Sequence, residues 1–354
     1  MAEEKKKLAE EGLKQVSLEE LKPVLKLEFE DNTSPSGTIV LIGTFRFDAY
    51  DKNNTSVYSE IINVMGQKKW DDSELDYWPW FSKVDSHGNL VEMHENTREI
   101  MEQENEMAHN AGIDYWVFLK GLDEQYRRYQ ESSNKNLMRF GWVCNGIFDS
   151  DIWKKEKSEL IASMKDARYV KVLTERPLLY VISYKTDGAA VHINDFRSAV
   201  QEAGLPNPYI VAVYKFNLGE DAHSVYWPKE GCTAEGQSYK DFIKNVSAHW
   251  SAMEGEIVPW TPMNTDARPY AERPPSWWKN PPYIWTHPPT PEEFAEMVQK
   301  GVDFVKVNPQ KCPAHTIIIK EWNGPEESGL VLPGRHHGAN KLNGLKKVNK
   351  SVLT

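Results

Sequence analysis

Three glutamates, Glu321, Glu326 and Glu327, crowd the end of the stretch IIIKEWNGPEES (residues 317–328), with Trp322 and Asn323 set between them. Carboxyl groups held close together can cleave a glycosidic bond, one protonating the leaving oxygen while the other attacks or stabilises the cation-like carbon. An indole packs on the apolar face of a sugar ring, and an amide hydrogen-bonds its hydroxyls. The same residues would also suit a half-buried sheet edge or an acidic surface turn, so the surrounding elements decide between these meanings.

Other chemistries find less support. His336 and His337, in LPGRHHG, are adjacent, and adjacent residues seldom converge on one ion; no third ligand stands at metal-like spacing. No serine sits in GxSxG, no phosphate-binding glycine loop is present, and the cysteines have no readable histidine partner. Cys144, Cys232 and Cys312 are widely spaced without CxxC, which allows one disulfide at most and gives no zinc pattern. No cofactor and no metal are expected, because side chains alone can run acid/base chemistry at a glycosidic bond.

The elements that would position the glutamates begin at residue 38, where short runs rich in Val, Ile, Tyr and Phe alternate with amphipathic stretches, the pattern of an α/β domain with a parallel sheet. Strands are expected at 38–47, 113–119, 138–147, 178–184, 209–216, 222–227, 257–260 and 315–322. Helices are expected between most of them, among them stretches ending in Gly112, Gly204 and Gly301, each glycine read as a left-handed cap, with Thr290 and Pro291 opening the last. Eight strands with intervening helices give a (β/α)₈ TIM barrel. An open doubly wound sheet would show a glycine-rich turn after its first strand, and FRFDAYDKNN is unlike one. Residues 1–30 read as an N-terminal charged helical arm and 31–354 as a single barrel domain. Long βα loops follow strands 1 and 7, at 48–94 and 261–291, the second rich in Pro and Trp and suited to a stiff wall around a cleft.

Barrel enzymes react at the C-terminal ends of their strands. Those positions hold Asp48 and Asp51, Asp149 and Asp151, Glu220 and Asp221, Asp266 with Arg268, and then Glu321, Glu326 and Glu327, so the rim is acidic. A net charge of −10 and a pI near 5.6 argue against a nucleic-acid partner and against an anionic membrane. Thirteen tryptophans and fifteen tyrosines offer stacking faces. The N-terminal MAEEKKKLAEEGLKQ lacks an apolar signal core, so the chain as given reads as soluble and cytoplasmic, or as secreted if a signal has been removed. Nothing in the sequence sets an oligomeric state.

Three stretches carry a resemblance. EMAHNAGIDYWVF (106–118) resembles the second-strand region of the glycoside hydrolase family 99-like and WbsX-like proteins. PWTPMNTDARP (259–269) is similar to their seventh-strand segment, and IIIKEWNGPEESGLVLP (317–333) to their last-strand signature, W-N-E-x-x-E-G followed by L-x-P. The resemblance runs over roughly residues 38 to 348 and implies a (β/α)₈ barrel acting on α-linked glycans, α-mannosides in the best understood members, with two glutamates three residues apart. Trp322 and Asn323 match the Trp-Asn pair, Glu327 the second glutamate and Pro333 the closing proline; the first glutamate falls on Gly324. On this basis Glu327 is expected as general acid/base, with Asp266 or Glu326 as the second carboxylate. Trp322, Trp260, Tyr115 and Trp116 are expected to frame sugar subsites, although alternation forbids Tyr115 and Trp116 from facing the same way. Asn323, Arg268, Asp48 and Glu321 complete the expected substrate-binding set. Because glycine cannot carry a proton, a catalytically silent barrel that binds a glycan or a protein stays open as an alternative; the resemblance to WbsX-like proteins implies a further one, a glycosyltransferase-like role in polysaccharide biosynthesis.

Overall fold

The computed structural model describes residues 39–351 except 49, 51, 53–54, 72–75, 95–96, 146–150, 183–188, 215–218, 228, 277–283 and 328. The arm expected over 1–30 and the rim positions Asp51 and Asp149 therefore lie outside the described residues.

In chain order the strands are β1 (Leu41–Arg46), β2 (Lys83–Val84), β3 (Leu90–Glu92), β4 (Tyr115–Leu119), β5 (Arg139–Asn145), β6 (Lys171–Val172), β7 (Arg176–Ile182), β8 (Tyr209–Val213), β9 (Ala222–Ser224), β10 (Glu256–Ile257), β11 (Trp260–Pro262) and β12 (Thr316–Lys320). The helices are α1 (Thr55–Met65), α2 (Arg98–Asn110), α3 (Glu124–Glu131), α4 (Asp151–Met164), α5 (Ala189–Glu202), α6 (Tyr239–Ala252), α7 (Arg268–Glu272), α8 (Pro291–Val307) and α9 (Asn340–Leu345).

Nine strands pair in the order β10-β9-β8-β7-β5-β4-β1-β12-β11, parallel throughout, with β6 added antiparallel to β7. The two ends of this path, β10 and β11, are neighbours in sequence. Only Val258 and Pro259 separate them, and there Val258 donates to the His223 carbonyl and Ile318 to that of Pro259, each at 2.9 Å. Pro259 has no N–H to give, so the expected single strand at 257–260 divides around it. The result is a mostly parallel, curled α/β sheet consistent with a TIM-like barrel. Each of the other expected runs carries one strand of the path; the ends 146–147, 183–184 and 215–216 lie outside the described residues.

These strands are nearly continuous apolar runs because both of their faces are covered; every residue of β8 and β12 is buried. Inside the curl, the Tyr115 ring lies across Gly43, where any Cβ would overlap it, and its hydroxyl meets Tyr180 Oη at 2.9 Å and Thr316 Oγ1 at 2.8 Å. On the opposite face of β4, Trp116 donates to Asn105 of α2 at 2.8 Å. Met101 and Met107 of α2 are core residues.

Helix boundaries follow the sequence signals with one exception. Thr97 caps α2, Gly112 follows it at φ 85°, Gly204 follows α5 at φ 81°, and Thr290 with Glu293 forms a capping box on α8. Gly301 does not cap: α8 runs on to Val307. Its lack of a side chain instead lets the helix lie on β11, since a Cβ there would come within 2.7 Å of Thr261 Cγ2. The long segment after β1 holds α1 and the β2–β3 hairpin, packed around Tyr50, Ile61, Trp70, Trp78 and Tyr270. Among the described residues, no helix is long and apolar enough to cross a membrane.

Candidate functional site

Alternation along β12 places Lys320 on the same face as Thr316, whose hydroxyl meets Tyr115 inside the curl. Lys320 therefore points inward at the C-terminal end of the strand, and it is only 1% exposed. Its Nζ lies 3.0 Å from Glu327 Oε2 and 3.6 Å from Glu321 Oε1, and it sits over the rings of Trp227 and Tyr226 at 4.3 and 5.1 Å. Tyr226 donates to Glu321 Oε2 at 2.7 Å, and Tyr50 donates to Glu326 Oε2 at 3.0 Å. Three carboxyl groups thus gather around one ammonium, and only Glu327 has a side chain partly at the surface, 14% exposed.

The chain after β12 folds to make this possible. Residues Pro325–Glu327 form a 3₁₀ turn, and Gly324 and Gly329 exchange backbone hydrogen bonds of 3.0 and 2.8 Å across it. The Glu321 side chain lies between these two glycines. A Cβ on Gly324 would overlap the Glu321 carboxyl, and one on Gly329 would come within 2.5 Å of its Cγ.

Crowded like charges in a low-dielectric site cannot all ionise. Burial pushes Glu321 up to about 7 from the usual 4.5, with Lys320 pulling back and Glu327 adding to the rise. Burial, with Glu327 and Glu321 nearby, holds Glu326 well above the ordinary carboxylate range. Burial works against the Lys320 ammonium, but Glu327 and Glu321 outweigh it and raise its pKa. Lys320 Nζ, Glu321 Oε1, Glu326 Oε1 and Glu327 Oε2 are all buried without a hydrogen bond of good geometry among the described residues, although Lys320 and Glu327 are in ion-pair contact.

The other expected site residues go elsewhere. Asp266 is wholly enclosed: both its oxygens accept from Arg268 Nε, at 2.8 and 2.9 Å, one accepts from the Arg268 backbone N–H and the other from Tyr77 Oη at 2.8 Å. Arg268 in turn lies over Trp285, 3.7 Å from the ring centroid. Asp266, expected as an alternative second carboxylate, is thus held by a guanidinium and a phenol, just before the start of α7, which packs against the 3₁₀ turn of Glu326 and Glu327. Asn323 accepts from Phe47 N at 2.8 Å and donates to Asp48 Oδ1 at 3.2 Å. Asp48 also receives Arg46 Nε at 3.1 Å, and Arg46 Nη1 reaches Glu104 at 2.8 Å, so Asn323 and Asp48 belong to a buried ionic network behind β1. Burial raises the pKa values of both Asp48 and Glu104. Asp48 also lines an open cavity of about 540 Å³ together with Gly121, Asp123, Tyr126 and Arg127.

All four expected stacking residues are wholly buried. Trp322 meets Trp116 edge-on at 4.8 Å between ring centroids, Trp260 meets His249 at 5.0 Å, and Tyr115 fills the interior. Expected to frame sugar subsites, they pack here as core side chains, the indoles filling the layer between strand and helix, where burial of a large side chain stabilises by roughly 1.5–3 kcal/mol. The backbone N–H groups of His336 and His337 both donate to Asp76, at 2.9 Å each. Sequence reasoning missed Lys320, Tyr226 and Tyr50. A lysine closing an otherwise apolar strand was a visible signal, whereas nothing local marks either tyrosine.

No protein-family model matches the chain, and no curated protein matches it by sequence. Among solved structures, the GH99 endo-alpha-mannosidase from Bacteroides thetaiotaomicron in complex with BIS-TRIS-propane is similar, with a TM-score of 0.53 at 10% identity over 86% of this chain and 94% of that one. A second structure of the GH99 endo-alpha-mannosidase from that organism gives a TM-score of 0.50 at 12% identity, over 83% of this chain and 87% of that one. At such identities the likeness is one of fold, and the fold is GH99-like.

Proposed function

We propose that this chain is a carbohydrate-active barrel that hydrolyses an α-linked glycan, with the carboxyl groups at the end of β12 as its reacting groups. The observation that carries this is the gathering of Glu321, Glu326 and Glu327 around Lys320 at the C-terminal end of a strand of the curled sheet. Burying like charges is costly, and strongly perturbed carboxyl groups at that end of a barrel are where chemistry is expected. Glu327, at the edge of the cluster, is the carboxylate that meets substrate first. The GH99-like fold makes α-mannosides the first substrates to assay.

Glu327→Gln should lower release of reducing sugar by about 100-fold or more, the scale of a lost acid/base group, and should also lower Tm, because the Lys320 ammonium loses its nearer carboxylate. Unaltered turnover would remove Glu327 from the reaction.

A second proposal, a barrel that binds glycans without cutting them, draws on the bare position 324 and on the burial of all four aromatics. It predicts no turnover on any glycoside together with measurable heat on titration with an oligosaccharide.

A further inference from the structure

Position 324 has no side chain, and the space its side chain would occupy is filled by the carboxyl of Glu321. A side chain at 324 would therefore begin where the Glu321 carboxyl now stands, beside Lys320. We propose that Glu321 is the second carboxylate of the reaction, a residue exchanged in space with Gly324, and that it donates the proton while Glu327 acts as the ionised partner; this rests on the hydrolase proposal above.

The contacts divide the two roles. Glu327 has the Lys320 ammonium at 3.0 Å, which suits a group that works as the anion. Glu321 is held through Oε2 by Tyr226, while its Oε1 lies farther from the ammonium, at 3.6 Å. Burial raises Glu321 to about 7, which suits a carboxyl that gives up a proton near neutral pH. This reverses the role that the sequence resemblance suggests for Glu327. The charged and titratable groups facing Glu321 are Lys320 before it, Glu326 and Glu327 from the 3₁₀ turn, and Tyr226 from the segment after β9.

In the step so assigned, the Glu321 proton goes to the glycosidic oxygen as the C1–O bond breaks and its electron pair leaves with that oxygen. The Glu327 carboxylate meets the positive charge developing at C1. Water then supplies the new oxygen at C1, and its proton returns to Glu321.

The test uses the full chain, an aryl α-mannoside and an α-mannan, with kcat/KM read against pH for wild type, Glu321→Gln, Glu321→Ala, Glu321→Ala/Gly324→Glu and Glu327→Gln. Wild-type kcat/KM is expected to fall as pH rises through about 7. Glu321→Gln and Glu321→Ala should lose about 100-fold or more, and the double variant should regain at least about tenfold over Glu321→Ala with its basic limb moved. A structural role for Glu321 would not move that limb. Wild-type activity in Glu321→Gln overturns the inference whether or not the double variant folds, and so does a folded double variant no better than Glu321→Ala. If Glu327→Gln is inactive while Glu321→Gln is active, the hydrolase proposal stands and this assignment fails. A wild type that cleaves neither substrate defeats both.

Discussion

Lys320 is the residue on which the site's electrostatics turn. Removing one partner of a buried ion pair typically costs about 3–5 kcal/mol because a charge is left uncompensated, so Lys320→Met should lower Tm far more than substitution of an exposed lysine. A Tm within error of wild type would show that the cluster does not need its ammonium. Glu321 adds a pH dependence with a definite sign. Its pKa is raised in the folded chain from 4.5 to about 7, so between those values the unfolded chain has lost a proton that the folded chain keeps. Its contribution therefore weakens as pH rises across that window. Glutamine mimics the protonated form, so the Tm of Glu321→Gln relative to wild type should climb between pH 4.5 and 7, which calorimetric scans at matched ionic strength can follow; a flat difference would mean that Glu321 titrates normally. At this scale the sequence was half legible. The types at 320–327 announced carboxylate chemistry, but the direction of each side chain was hidden. Regular pairing stops at Lys320, after which alternation no longer tells which way Glu321 and Trp322 point.

The elements were more legible, because they rest on local periodicity and capping. The buried strands β4, β5, β7, β8 and β12 each fall within or close to an apolar run, and Thr97 and Thr290 mark the starts of α2 and α8. The failures were positions where a neighbour distant in sequence overrides the local signal. Gly301 reads as a terminator but serves the packing of α8 on β11, and Pro259 divides a strand that the apolar pattern runs together. The first of these yields a prediction. Alanine in mid-helix should gain roughly 0.5–1 kcal/mol over glycine, but crowding Thr261 Cγ2 should cost about 1–3 kcal/mol. Gly301→Ala should then lower stability in a urea melt, and adding Thr261→Ser, which removes that methyl, should restore it. A stabilised Gly301→Ala would show that the contact relaxes freely.

For the whole molecule, the eight-run count led correctly to a mostly parallel curled α/β sheet, and the fold likeness to a GH99 endo-alpha-mannosidase agrees with the last-strand motif in pointing to the same architecture. What length and composition could not supply was which acids meet. Asp266 stands among the acids of the acidic rim in sequence, yet in space it belongs to Arg268 and Tyr77, whereas Tyr226 and Tyr50 reach the β12 cluster from segments far away in the chain. The shared contact with Lys320 also bounds the distance between the reacting oxygens. With contacts of 3.0 and 3.6 Å to the same nitrogen, Glu327 Oε2 and Glu321 Oε1 can be no farther apart than those two lengths laid end to end. That reaches only the bottom of the roughly 6.5–9.5 Å range of inverting glycosidases and spans the roughly 5–5.5 Å of retaining ones. The most direct test is therefore the proton NMR spectrum of the anomeric region during the first minutes of hydrolysis of an α-mannoside. The β12 site predicts an initial product with the anomeric configuration of the substrate, and an initial product of inverted configuration would contradict it.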